Sequence, residues 1–372
     1  MNMLKSSNFM FPLIRDQKRR WCACMLIPVT SLFCLLLLLG TSFIQIRKEK
    51  LLRWKRDDLD QTKCQNRCRP PGSESLPQGI VAKTSNLERR PLWGSPKFLS
   101  SNFTVMLFHY DGIVDEWKDF KWSNDVIHIS ALNQTKWWFA KRFLHPDVVA
   151  EYNYIFLWDE DLGVQNFNPK NYLSIMKREG LEISQPALDT AKSEVHHQIT
   201  ARGRRSNVHR RTYKAGENGT TACNESSMAP PCTGWIEVMA PVFSKAAWSC
   251  VWYMIQNDLI HAWGLDMQLG YCAQGDRTSK IGVVDAEYVV HYGLPTLGEP
   301  SNTKVTPHPP RHSTHTLYKG RPTFSSNTID FRIEVRRQSY NEYKVFKRRW
   351  KKAAEEDQCW TDPYPDQPSS IL

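Results

Sequence analysis

Charge is missing from one long stretch of the chain: no Asp, Glu, Lys, Arg or His lies between Trp21 and Ile44. At ~1.5 Å of rise per residue, a helix over this run, with Leu35 to Leu39 inside it, is long enough to cross a hydrocarbon layer of ~30 Å. The run is too long for a signal-peptide core and no small-residue cleavage site follows it, which argues against a cleaved leader and for a signal anchor. Cys64 and Cys68 lack the further thiol and imidazole neighbours of a closed metal site. They are expected to pair with each other or with a neighbouring chain, the second case making a homodimer. No signature of a nucleotide base or of a particular sugar is present either.

The chain of 372 residues therefore divides into a cytoplasmic tail over 1–20, a transmembrane anchor over 21–44, a charged and Pro-rich stem over 45–92, a folded body over 93–328, and a helix with a disordered acidic tail over 329–372. Four glycosylation sequons, at Asn102, Asn133, Asn218 and Asn224, and seven of the ten cysteines follow the anchor. That distribution predicts a lumenal body and a single-pass type II protein of the Golgi membrane. Of the net charge of +11, residues 1–46 carry +4, leaving +7 for the rest. A basic lumenal body suits anionic substrates, whereas nucleic acid is excluded as a partner because it does not reach the lumen.

Within the body, strands are predicted over Phe103–Phe108, Asp125–Ser130, Leu181–Leu188, Trp235–Phe243 and Ile281–Val290. Helices are predicted over Lys136–Phe143, over Asn171–Glu179 with Gly180 ending it, and over Ala246–Ile255 capped by Ser244, with a short one opening at Pro146. Strand, helix and strand in that order predict an α/β fold with a single Rossmann-like mixed sheet flanked by helices. The basic stretch Arg202–Lys214 reads as a solvated loop, with a phosphate clamp as its functional alternative. Cys223 and Cys232 are spaced for a local disulfide. Tyr340, Tyr343, Phe346 and Trp350 lie at helical spacing and predict a surface helix.

The chemistry is expected where Ile155, Phe156, Leu157 and Trp158 give way to Asp159-Glu160-Asp161 and Gly163. An apolar run with no polar face predicts a central strand, and ligands of open α/β sheets bind outside the carboxyl ends of strands. Side chains two apart on extended backbone share a side, so Asp159 and Asp161 can converge on a hard divalent cation. Two more strands end in candidate ligands, at His109-Tyr110-Asp111 and at His291. An imidazole among carboxylates favours Mn2+ over Mg2+. Trp263-Gly264-Leu265-Asp266 combines a tight turn, a carboxylate at a helix start and an aromatic face on which a sugar ring can stack.

Leu157 to Val164, Ile183 to Asp189 and Trp263 to Asp266 resemble the plant family of domain-of-unknown-function 707 over roughly Arg90–Thr328. Members of that family often carry a lysine-ketoglutarate reductase trans-splicing label. A looser similarity is to GT-A glycosyltransferases. It rests on an Asp-x-Asp after a buried strand, a Gly-x-Asp at a helix start about a hundred residues on, and a His after a later strand. That resemblance implies a GT-A-like domain in which Asp159, Asp161 and His291 hold a divalent metal. It also implies that Asp111, Trp263 and Gly264 line the donor, and that Asp266 accepts or orients the acceptor's proton. The implied partners are a nucleotide-sugar donor and a glycan acceptor. A catalytically silent scaffold that binds glycans is the alternative.

Overall fold

The computed structural model describes residues 39–42, 44–50, 69–82, 103–213, 223–293 and 331–365. The chain divides into two units, Met1–Cys68 and Arg69–Leu372. In the first, residues 39–42 and 44–50 are helical (α1). The anchor expected over 21–44 falls mostly outside the described residues, as do the cytoplasmic tail and the stem cysteines. No helix among the described residues is long and apolar enough to cross a membrane.

The second unit is a mixed α/β body with a central sheet flanked by helices. Its elements are β1 (Met106–His109), β2 (Ile127–Ser130), α2 (Lys136–Phe143), β3 (Tyr154–Phe156), β4 (Leu162–Gly163), α3 (Pro169–Glu179), β5 (Ile183–Leu188) and β6 (Val208–His209). They continue with β7 (Val242–Ser244), α4 (Lys245–Met254), α5 (Leu265–Gln268), α6 (Arg277–Lys280), β8 (Ile281–His291) and α7 (Phe331–Glu356). The strand order is β3-β7-β5-β8-β4, with β6 also on β8. Only β5 and β8 run parallel in this sheet. Local signals set the helix ends: Asn168 caps the N–H groups of Lys170 and Asn171, Gly180 closes α3 in the left-handed conformation, and Ser244 caps Ala247. Side-chain alternation divides the sheet between two cores. Ile183, Phe243, Ile281 and Val283 face α4, while Val242 and Val284 face Tyr172, Ile175 and Met176 of α3.

Several expectations need correction. β1 and β2 pair in parallel as a separate two-stranded sheet, so the body does not hold a single sheet. β3 stands at the end of the strand order. Its run is apolar because cores cover both faces, Ile155 and Leu157 on one side and Phe156 and Trp158 on the other, and not because strands flank it. The strand expected over Trp235–Phe243 shrinks to β7. Gly234 is left-handed, Pro241 has no N–H, and the N–H of Glu237 is taken by the Gln185 side chain at 2.6 Å. Past Pro146 the chain makes turns and no helix.

The largest correction concerns the ends. Residues 69–82, expected in the stem, bury Leu76, Ile80 and Val81 in the main core beside Phe346, Trp350 and Ala353 of α7. Asp357 accepts from Arg69 Nη2 and from the N–H of Gln78, both at 2.7 Å. Buried Lys141 donates to the carbonyls of Ala82 and Trp252 at 3.0 and 2.7 Å. α7 is thus part of the body, and the acidic tail expected to be disordered is packed as far as Tyr364, whose ring lies 3.9 Å from the Arg277 guanidinium. Cys223 and Cys232 are bonded as expected, and a second disulfide, Cys250–Cys272, joins α4 to the turn Leu269–Cys272.

Candidate functional site

The backbone after β3 stays extended against 239–241: the N–H of Leu157 donates to Pro241 at 3.1 Å and that of Asp159 to Met239 at 2.9 Å. This ladder carries the acids out of the core. The Asp159 carboxylate is met by Lys136, the first residue of α2, at 2.5 Å, and the same ammonium donates to the carbonyl of Val238 at 2.6 Å.

Asp161 enters the strand pairing directly. Its carbonyl accepts from the N–H of Tyr292 at 3.0 Å, and the pairing of β4 with β8 sets Leu162 opposite His291. The Asp161 carboxylate lies 3.3 Å from His291 Nε2. His291 Nδ1 is buried with no hydrogen-bond partner, an uncommon state that a ligand would relieve. A Cβ at Gly163 would lie 2.5 Å from the Tyr292 hydroxyl, so a larger residue there would displace that exposed ring. At the end of β1, Tyr110 rather than Asp111 turns toward the acids. Burial first, then the charges of Glu160 and Asp159, a hydrogen bond to Glu160 and the charge of Asp161, hold its hydroxyl protonated far above its ordinary range. Asp111 is exposed, and its carboxylate accepts the N–H of Ile113 at 2.9 Å in a local turn.

Asp266 sits in the first turn of α5 and accepts from Trp235 Nε1 at 3.1 Å. Burial raises its pKa, against that bond and three backbone donors. Trp263 presents 46% of its surface to solvent. Gly264 is left-handed, at φ +92°, and a Cβ there would come within 2.6 Å of Tyr343 in α7. Its role is to admit that helix. Gly264→Ala is expected to lose about 2 kcal/mol in urea denaturation, while Trp263→Ala stays within about 0.5 kcal/mol of wild type.

One acid lay hidden from the sequence reading. Glu237 belongs to the apolar run read as a strand, and its Oε2 is buried without a partner. Burial, reinforced by the charges of Asp266 and Asp159 and opposed by Lys136, lifts its pKa to about 8. Those couplings place Glu237 among the predicted site residues. An isolated acid inside an apolar stretch was the available signal.

The structure thus brings Asp161 to His291 and sets Asp159, Lys136, Glu237 and Asp266 in one electrostatic neighbourhood, leaving Asp111 outside it. Among the described residues no group of three or more His, Cys, Asp or Glu side chains is gathered to hold a metal ion. Asp161 and His291 Nε2 supply two donors that could share a divalent cation, Nδ1 lying on the other edge of the ring, and Asp159 could join them only on leaving Lys136.

The basic stretch is solvated in part: Arg204 and Arg205 are exposed, Lys214 lies outside the described residues, and three arginines are engaged with the body. Arg202 lies 3.5 Å from the Tyr288 ring centre, Arg210 bonds to Glu179, and Arg211 donates to the carbonyls of Asn224, Glu225 and Ser227. These side chains fasten the segment to the sheet and to the neighbouring loop.

A family model for proteins of unknown function, DUF707, matches residues 95–356. This chain belongs to the DUF707 family. No curated protein and no solved structure matches it. The DUF707 match runs past the boundary expected at 328 into α7, as the burial of Phe346 and Trp350 requires.

Proposed function

We propose that this DUF707 protein is a glycosyltransferase-like enzyme of the Golgi membrane, a single-pass type II protein whose lumenal body transfers a sugar from a nucleotide-sugar donor to a glycan. The observation that carries this reading is the meeting of Asp161 with His291, beside Asp159, at the ends of separate strands. Asp161, His291 and Asp159 would hold Mn2+, with Mg2+ as the alternative. When bound, the ion neutralises charge on a nucleoside diphosphate leaving group. Asp266, whose affinity for a proton burial increases, receives or orients the acceptor hydroxyl's proton. Trp263 offers its exposed face to a sugar ring. Lys136 holds Asp159 until the cation competes for it.

A second reading, a GT-A-like scaffold that binds glycans without turnover, is favoured by that same Lys136–Asp159 pair. Thermal unfolding of the full chain in detergent, with Mn2+ and a panel of nucleoside diphosphates, separates the two. The enzyme reading expects a joint stabilisation that Asp161→Ala abolishes and Lys136→Met strengthens by freeing Asp159. A folded wild type that is stabilised by no nucleotide with Mn2+ would leave the scaffold.

A further inference from the structure

Between β1 and β2 the chain presents aromatic side chains to solvent in one place. Trp117, Phe120 and Trp122 are 37%, 48% and 41% exposed, and their ring centroids lie 5.5 to 6.1 Å apart. Leaving contiguous apolar surface in water is unfavourable and marks a place where something binds.

The rings are held outward from below. Trp117 packs edge-on against buried His109 at 5.4 Å; His109 Nε2 meets His128 Nδ1 at 2.8 Å, and His128 Nε2 meets the Ser123 hydroxyl at 2.9 Å. Short helical turns at Asp115–Trp117 and Lys121–Asp125 set the backbone. The platform is therefore preorganised, which lowers the entropy lost on binding.

Its surroundings select the occupant. Residues 111–125 hold five acids against two lysines, a balance that repels phosphates and anionic lipid headgroups. Flat rings take the C–H faces of sugars, and of the neighbouring acids in the same stretch Glu116 and Asp119 are exposed and can accept hydroxyl hydrogen bonds, while Asp115 is paired with Lys118 at 2.6 Å. We propose that Trp117, Phe120 and Trp122 form a binding platform for an uncharged glycan chain, which in the transferase reading would be the acceptor. The acceptor role rests on the transferase reading; glycan binding by the platform does not.

Titration calorimetry of the full chain in detergent tests it, with cellohexaose, xylohexaose and mannohexaose as uncharged probes and hexagalacturonate as the charged control. Saturable binding of an uncharged probe is expected, weakened roughly tenfold or more by Trp122→Ala or Phe120→Ala and retained by Trp122→Tyr. The thermal midpoint should not move, because these side chains are half exposed. Asp161→Ala separates the two readings, removing the response to Mn2+ and nucleotide while sparing glycan binding. The platform is refuted if no uncharged probe binds, if the alanine variants bind as wild type, or if hexagalacturonate binds more tightly. It is equally refuted if the same variants instead lose co-sedimentation with phosphatidylcholine vesicles, which would make the partner a lipid surface, or lose self-association in light scattering, which would make it a second copy.

Discussion

Asp285→Ala should lower the stability of the folded body by about 3–5 kcal/mol in urea denaturation, because it strips a buried carboxylate from two donors, one of them charged. Asp285 is 2% exposed and lies in β8. Its oxygens accept from the N–H of Gly203 at 2.5 Å and from His209 Nδ1 at 2.8 Å. His209 Nε2 also faces the Ile199 carbonyl at 2.6 Å. Carboxylate and carbonyl oxygens only accept, so both ring nitrogens donate and His209 is an imidazolium. Burial alone would lower its pKa, but the hydrogen bond and charge of Asp285, with the Ile199 carbonyl, raise it. The stability this pair contributes is present below the ordinary pKa of 6.5 and is lost as pH rises through the elevated value. In the alanine variant that part of the pH dependence should vanish.

Glu237→Gln should reverse the usual outcome of a substitution in a candidate site and stabilise the protein in mild alkali. The Glu237 carboxyl has an ordinary value of 4.5 and is lifted to about 8 by burial, then by Asp266 and Asp159. Between those values the folded chain keeps a proton that the unfolded chain has lost. Stability therefore falls as pH rises across the window. Glutamine has nothing to titrate. The variant should match wild type at about pH 4 and exceed it by on the order of 3–5 kcal/mol at about pH 9. Denaturation midpoints against pH provide the check, and parallel curves for the two proteins would show that Glu237 carries no buried proton.

The same residue shows where the sequence stops being legible. Strand-end acids, Ser244 as a cap, Gly180 as a terminator and the Cys223–Cys232 spacing are local signals, written within a few residues of what they control; the Asn168 cap, with Pro169 opening α3 two residues before the expected start, was there to be read but was missed. The meeting of Asp161 and His291 was foreshadowed because each follows an apolar run. Long-range pairings leave no such trace. Arg69 and Asp357 are 288 positions apart, and nothing near either identifies the other, so residues 69–82 looked like stem and α7 like surface. Lys136 reads as an ordinary polar residue in the first turn of a helix until α2 is set against β3. β3 itself was misplaced because burial on both faces leaves the same apolar pattern whether or not strands flank it. Gly264, assigned to the donor, is required by a helix that follows it in sequence by more than sixty residues.

The clasp of residues 69–82 on α7 gives the body a mechanical property. The first described stretch of Arg69–Leu372 is bound to its last one, through Arg69 and Gln78 on Asp357, Trp360 on Ser75, and Gly79 against Ala353. Tension applied at Arg69 is therefore shared: it loads the C-terminal turns of α7 and, through Ser75 on Cys250 and Ala82 on Lys141 and Tyr253, α4 and α2 as well.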